Sequence, residues 1–466
     1  MSFRTEKDYL GEVRVPVGAY YGVQTQRAVA NFPISGLRLQ QRFVKAQAIT
    51  KKAAAFANIR TGRLDKRIGD AIVKAADEVI AGELRDQFVV DVYQAGAGTS
   101  QNMNMNEVLA NRASELLGGA KGEYKLVHPN DHVNMAQSTN DIIHAAIHIA
   151  ALDALDGLLQ SLEQLHGALE EKSNEFSDVL KSARTHLMDA VPMTLGQEFS
   201  GYAYAIAQDI RKVQAAADSL LELPAGGTAA GTGMNAETEY VAYVIEEINR
   251  ITGKSYRTPP TLFAEMQNTY AEVTVSASLR NLAVTLTKIA NDLRLLASGP
   301  STGLAEIELP PVQPGSSIMP AKVNPVMAEM LNMAAYQVLG NDVTIANATG
   351  ASQLELNVMM PVIAYNLVGS TEILAHGISA FTEKCIRGIT ADEKKCLEYL
   401  EKNPIVVTAL NPYIGYEKAA EVARKAYREN KTVRDVVLAM NLLPAGDLDR
   451  ILELRKLTKP GVVKKQ

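Results

Sequence analysis

"IHIAALDALDGLLQSLEQLHGAL", residues 147–169, carries the strongest periodic signal in the chain. Ile147, Ala151, Leu155, Leu158, Leu162, Leu165 and Leu169 recur at steps of three and four, which places them on one face of an α-helix. No proline interrupts the sequence between 130 and 191, so nothing stops that helix for many turns. Similar runs occupy roughly 195–222, 262–297, 325–348 and 356–383, between segments holding Gly, Pro, Ser and Thr. Strand signals are sparse, and period-two stretches such as 402–409 are short. The pattern predicts a mainly α chain whose five long helices bury their stripes against one another as a bundle. Stripes of this length also suit subunit interfaces, so an oligomer is expected rather than a self-contained monomer.

Outside the bundle the text changes. Residues 1–40 read as irregular, and 41–85 as helical, with Ala- and Lys-rich stretches such as VKAQAITKKAAAFAN. After about 395, short helices with charged faces are predicted (EKAAEVARKAYREN, TVRDVVLAM), with a turn at LNPYIGY, 410–416, and a frayed end at GVVKKQ. The expected organisation is three domains: 1–139, N-terminal, mixed and mostly helical; 140–394, the central long-helix bundle; and 395–466, a small C-terminal helical domain.

Composition narrows the function. Of 466 residues 47% are hydrophobic, enough for a large globular core. The net charge of −5 comes with no basic block, so nucleic-acid backbone binding is not expected. Two cysteines, Cys385 and Cys396, suggest neither a disulfide framework nor a zinc cluster. The N-terminal MSFRTEKDYLGEV has no apolar signal-peptide core, and no uninterrupted apolar run reaches about 18 residues. A cytoplasmic location without membrane association is expected.

Four polar loops stand out: 96–104 (GAGTSQNMN), 137–141 (QSTND), 184–189 (RTHLMD) and 314–325 (PGSSIMPAKVNP). They are rich in hydroxyls and amides and lack the carboxylate cluster that hard cations need. They suit an anionic substrate instead. Ser138-Thr139-Asn140-Asp141 opens the long helix; these are N-capping residues, and a helix N-terminus is also a carboxylate site. His144 and His148, four residues apart, have metal-binding spacing, but no third ligand is evident nearby, so no metal is expected. Nucleotide patterns fail. GTGMNA at 231–236 matches G-x-G-x-x-A without a preceding strand, and the 314–325 segment is neither a P-loop nor an S-x-x-K or G-x-S-x-G site.

Taken together, the loops resemble the fumarase/aspartase superfamily. GSSIMPAKVNP matches that family's G-S-S-x-M-P-x-K-x-N-P form. AGAGTSQNMNMNE, QSTND, RTHLMDAVPMTLGQEF, GTAAGTGMN and KIANDLRLLASGP follow the family in the same order, over essentially the whole chain. The resemblance implies a homotetramer with a multi-helix core and active sites built from loops of three subunits. It implies elimination from a four-carbon dicarboxylate to give fumarate, with no cofactor and no metal. By position, Ser316 is the implied general base. Thr99, Ser138, Thr139 and Ser317 would hold the β-carboxylate, and Lys322 and Asn324 the α-carboxylate with help from His186. Asn140, Thr185 and His186 would surround the leaving group, and Met319 would complete the substrate contacts.

Lys322-Val323-Asn324 resembles the aspartase and fumarase branch; within it Thr139 and Leu187 resemble aspartases, while HPNDHVN at 128–134 resembles fumarases. The expected reaction is deamination of aspartate, with dehydration of malate or elimination from modified aspartates as alternatives. The family also contains structural lens-type proteins, but retention of Ser316, Lys322, Asn324, Thr185 and His186 argues for catalysis. Three positions depart from the family form: Ile142-Ile143-His144-Ala145 after TND, Met188 where glutamine is common, and Ser301-Thr302 after SGP.

Overall fold

A computed structural model describes residues 2–462, so the last four residues of GVVKKQ lie outside the described residues. Five long helices form where the stripes predict them: Thr139–Glu175, Leu195–Ala217, Tyr270–Leu296, Val326–Gly350 and Met360–Lys384. All seven stripe positions from Ile147 to Leu169 are fully buried. Each buried leucine contributes roughly 1.5–3 kcal/mol of transfer free energy, so the stripe is a major source of cohesion. The Thr139–Glu175 helix is long and apolar enough to cross a membrane, but 78% of its most apolar window is packed inside the protein. That is the profile of a core helix.

The run expected at 262–297 is two helices. Leu262–Gln267 ends at Asn268, which is extended (φ −122°, ψ 148°), and Tyr270 begins the second. Thr269 sits in the break, fully buried, with its hydroxyl donating to Thr349 Oγ1 at 3.0 Å. That tertiary bond overrides a continuous helical pattern. The 402–409 segment is a 3₁₀ turn, Pro404–Leu410, capped by Asn403 Oδ1, which accepts from the Ile405 N–H at 2.8 Å; it is not a strand.

The chain groups into two compact units. One comprises Met1–Gln160, Asp209–Ala283 and Ala334–His376. Its first forty residues are more ordered than expected, with Phe3–Asp8 and Gly11–Pro16 pairing as an antiparallel hairpin. Val44, Ala48, Ile72, Val79, Met105, Val108 and Leu109 form a core beneath the helices Gln41–Arg60, Lys66–Ile80 and Thr99–Leu116.

The other unit comprises Ser161–Gln208, Val284–Met333 and Gly377–Gln466. Its second hairpin pairs Leu180–Thr185 with Met188–Thr194. Short helices after Asp392 close over Leu400, Val407, Leu410, Val422, Val436 and Leu448. The 410–416 turn contains one helical turn, Asn411–Ile414, ended by Gly415 at φ 80°.

Candidate active site

In the first unit, Ser138 to Asp141 form a reciprocal cap. Ser138 Oγ accepts from the Asn140 N–H at 3.3 Å, and Asp141 Oδ1 accepts from the Ser138 N–H at 3.0 Å. This satisfies two of the donors that a helix start leaves open. Asp141 Oδ2 accepts from the Gly226 and Thr228 N–H groups at 3.0 and 3.1 Å, and Asn140 Nδ2 donates to the Ala229 carbonyl at 2.8 Å. GTAAGTGMN is thereby fastened to the helix start, and Ser138, Thr139 and Asn140 are left partly exposed.

Beneath this turn lies a buried polar network that sequence reasoning missed. Lys51 is fully buried, and its Nζ donates to Asn134 Oδ1 and Gln137 Oε1, both at 2.9 Å. Asn134 Oδ1 also accepts from Asn102 and Asn106, and Asn102 Nδ2 donates to Thr139 Oγ1 at 3.1 Å. Burial pushes Lys51 down to about 7, against the attraction of Asp141. Burial pushes Asp141 up to about 7, against its three N–H donors and Lys51. A signal existed: Lys51 falls on the same three- and four-residue spacing as the core residues Val44, Ala48 and Ala55.

Thr99 is the first residue of the Thr99–Leu116 helix and is exposed. Gly98 before it takes φ 85°, and a Cβ there would meet Ile143 Cγ2 at 3.1 Å. The left-handed turn and the close approach both require glycine.

In the second unit, Thr185 and His186 stand on the Leu180–Thr194 hairpin instead of the loop expected for them. Thr185 pairs with Met188, and His186 and Leu187 form a two-residue tip with φ 57° and 60°. Two consecutive left-handed residues match the twist of the strands. Polar outward residues hid the strand alternation, and Pro192 disguised it further. The first strand of the hairpin is anchored by charges: buried Lys181 Nζ and half-buried Arg184 Nη1 lie 3.0 and 2.9 Å from the carboxylate of fully buried Glu306. Thr185, His186, Leu187 and Met188 are all exposed at the tip.

The 314–325 loop brings together Ser316, Ser317, Met319, Lys322 and Asn324. The Gly315 N–H donates to the Lys322 carbonyl at 2.7 Å, and Asn324 Nδ2 donates to the Gly315 carbonyl at 2.6 Å, closing a neck. Ala321 turns the chain at φ 63°. Within the loop, Ser316 Oγ accepts from two backbone N–H groups, those of Ile318 at 3.2 Å and Met319 at 2.9 Å. Lys322 Nζ donates to Asn324 Oδ1 at 2.8 Å. Ser317, Met319 and Lys322 are exposed, while Ser316 and Asn324 are half-buried. Two dipoles converging on one hydroxyl oxygen favour negative charge on it.

Non-glycine residues with positive φ recur in all of these segments: Ala97, Ala136, His186, Leu187, Thr228 and Ala321. Such backbone is costly and persists where the surroundings over-determine it, typically at functional loops. By contrast, the cleft of about 260 Å³ lined by Arg42, Asp153 and Lys254 contains none of the candidate residues. Four of its charged residues are already paired, Arg42 with Asp153 and also with Glu372 nearby, and Lys254 with Asp156.

Long buried helices carry these hydroxyl- and amide-rich loops, and the chain belongs to the lyase family. The family described as Lyase matches residues 11–340, and that described as Fumarase C C-terminus matches 406–459. The chain is 50% identical to an aspartate ammonia-lyase of Bacillus subtilis (strain 168) over 464 residues, covering 100% of this chain and 98% of the relative. It is 49% identical to a class II fumarate hydratase of Halobacterium salinarum over 462 residues, covering 99% and 98%. Among solved structures, a fumarate lyase:delta crystallin from Brucella melitensis bound to cobalt superposes with TM-score 0.95 at 45% identity, covering 98% of this chain and 100% of that one.

Proposed function

We propose that the protein is an ammonia-lyase that reversibly converts L-aspartate to fumarate and ammonia, with Ser316 as the general base. The observation that supports the general-base assignment is the pair of N–H groups on Ser316 Oγ. A serine hydroxyl is far too weak a base in water, and donors aimed at its oxygen favour the alkoxide that the chemistry needs. The alkoxide takes the pro-fumarate proton from Cβ and becomes the neutral hydroxyl. The electron pair moves into the β-carboxylate as an aci-carboxylate. Collapse of that intermediate forms the C=C bond and breaks the Cα–N bond, and the amine departs as ammonia.

In this reading Ser138 and Thr139, at the start of the Thr139 helix, meet the β-carboxylate with Thr99 and Ser317, where hydroxyl donors and the helix dipole favour developing charge. Lys322 and Asn324 take the α-carboxylate, and Met319 packs beside it. Asn140, Thr185 and His186 receive the amine. Each site is completed by loops from three copies of the chain in a homotetramer, and the 314–325 loop closes over the substrate to exclude water.

A second reading, dehydration of malate, is favoured by HPNDHVN at 128–134, where His128 Nδ1 accepts from the Asn130 and Asp131 N–H groups at 3.2 and 3.1 Å. Purified protein is given aspartate, malate and N-substituted aspartates in turn while fumarate absorbance is followed. Fumarate from aspartate with release of ammonia is expected. Turnover of malate alone would transfer the assignment to fumarase, and turnover only of an N-substituted aspartate would transfer it to a modified substrate.

A further inference from the structure

The departure at 142–145 places His144 on the Thr139 helix one turn before His148. Both rings are buried, at 1% and 0% exposure, and they meet edge to face with centroids 4.8 Å apart. The sequence offers no third ligand beside them, but the fold supplies two from more than a hundred residues away. Glu272, on the Tyr270–Leu296 helix, is fully buried, and its Oε1 lies 2.8 Å from His144 Nε2 and 3.3 Å from His148 Nε2. Glu265, on Leu262–Gln267, is 1% exposed, and its carboxylate oxygen lies with the ligand nitrogens of both histidines inside a 4.8 Å span. All four residues belong to the first unit.

Two features separate this cluster from an ordinary buried ion pair. His148 Nδ1 lies 2.7 Å from the Glu222 carbonyl oxygen, so Nδ1 carries the proton and Nε2 faces the cluster. A backbone carbonyl on the far nitrogen is the arrangement that orients metal-binding histidines. In addition, Glu265 Oε1 and Glu272 Oε2, both buried, have no hydrogen-bond partner. Leaving carboxylate oxygens unpaired in a dry interior costs several kcal/mol, and a cation at the centre would remove that cost.

We infer that His144, His148, Glu265 and Glu272 form a structural site for a late first-row divalent metal, of the Zn²⁺ or Co²⁺ class. Two neutral imidazoles and two carboxylates form a four-donor set that balances a charge of +2. Nitrogen donors favour these ions over Mg²⁺ or Ca²⁺, which take oxygen. At metal–ligand lengths of about 2.0–2.2 Å, tetrahedral donors stand about 3.3 Å apart. The His–Glu272 spacings of 2.8 and 3.3 Å lie near that value, and the Glu265 oxygen, within 4.8 Å of both nitrogens, moves inward to complete the set. The site ties three helices together one turn below Asn140, and it is separate from the residues assigned to the reaction.

The test uses full-length protein produced in medium supplemented with Zn²⁺ or with Co²⁺, then passed through gel filtration with a chelator. Metal per chain is measured by mass spectrometry, and the cobalt form by its visible ligand-field spectrum. One tightly held metal per chain, with the intense visible bands of low-coordinate Co²⁺, is expected. Glu265→Gln and His144→Asn should each weaken retention by more than about 100-fold, beyond the loss of an outer-shell partner. The thermal midpoint of wild type should fall when metal is withheld. Wild-type protein that carries no metal from either medium overturns the inference, and so does Glu265→Gln protein that retains as much as wild type. If one variant fails to fold, the wild-type metal content and cobalt spectrum still decide.

Discussion

The Ser138–Asp141 turn and the Ser316 loop present the same kinds of side chain to the same proposed substrate, yet they are built in opposite ways. The turn is braced from outside itself. Lys51, Asn102 and Asn134 support it from below, and Gly226, Thr228 and Ala229 clamp its flank. The loop is braced by its own backbone, through Gly315, Lys322 and Asn324. A site needs some groups fixed to better than an ångström and others free to admit substrate. On the proposed function, the first unit's platform would supply the precision and the second unit's loop the closing movement. Segments with few buried contacts lie at the low-stability end of a protein, which is where a closing element belongs.

Ser316→Ala separates the two constructions most strongly. Removing a general base lowers kcat by about 10²–10⁴-fold. Because the loop contributes little to the core, the thermal midpoint should move by the equivalent of less than about 1 kcal/mol. Steady-state kinetics and a melting curve on one preparation check both halves. Turnover near the wild-type level would remove Ser316 from the role of base.

The platform should answer to pH instead. Asp141 in the folded protein sits near about 7 against an ordinary 3.8, so between those values the folded chain holds a proton that the unfolded chain releases. Stability therefore falls as pH rises through that window. Lys51 sits near about 7 against an ordinary 10.5, so above neutrality the unfolded chain holds the extra proton and stability rises. Together they predict a dip centred near neutral pH, on the order of a few kcal/mol. Urea midpoints at about pH 5, 7 and 9 should show this dip in wild type and lose it in the Lys51→Met/Asp141→Asn double variant. A difference between the two proteins that stays constant across the range would show that the pair remains ionised.

Lys51→Met alone leaves Gln137 Oε1 without its ammonium donor, while Asn134 Oδ1 keeps Asn102 and Asn106. The expected loss is about 1–3 kcal/mol of stability. Activity should fall with it, since Thr139 is held through the same asparagines. An unchanged melting temperature with lost activity would mean that Lys51 acts on substrate and does not brace the turn.

These contrasts also explain what could be read from the chain. The stripe from Ile147 to Leu169 was legible because each position obeys one local period, and all seven residues are buried. The cap at Ser138–Asp141 was legible for the same reason, being a four-residue rule. The hairpin under His186 was not, because its charged residues Lys181 and Arg184 are paid for by Glu306, more than a hundred residues away. The break at Asn268–Thr269, the partners of buried Lys51 and the convergence of Glu265 and Glu272 on His144 and His148 share that cause. Each depends on a partner that no local window contains. The motif loops located the candidate residues by resemblance, whereas the N–H pair on Ser316 is visible only in three dimensions.

The finest test of the comparison uses two glycines. A Cβ on Gly315 would lie 2.6 Å from the Lys322 carbonyl oxygen and 2.8 Å from the Asn324 nitrogen, both backbone atoms. Gly315→Ala must therefore open the neck that presents Ser316. Overpacking costs about 1–3 kcal/mol, and an exposed loop can relax toward the low end. Turnover efficiency should drop by about tenfold, while the melting temperature falls less than in the platform variant, because an opened neck relieves the clash without disturbing the core. Gly98→Ala is its counterpart on the platform. The new methyl group would meet Ile143 while the backbone holds φ 85°, a conformation that costs an alanine about 1–2 kcal/mol. Here melting temperature and activity should fall together, because the strain sits beside a fully packed helix. If Gly315→Ala lowered the melting temperature as much as Gly98→Ala does, the loop would be part of the rigid frame, and the division of labour between the two regions would not hold.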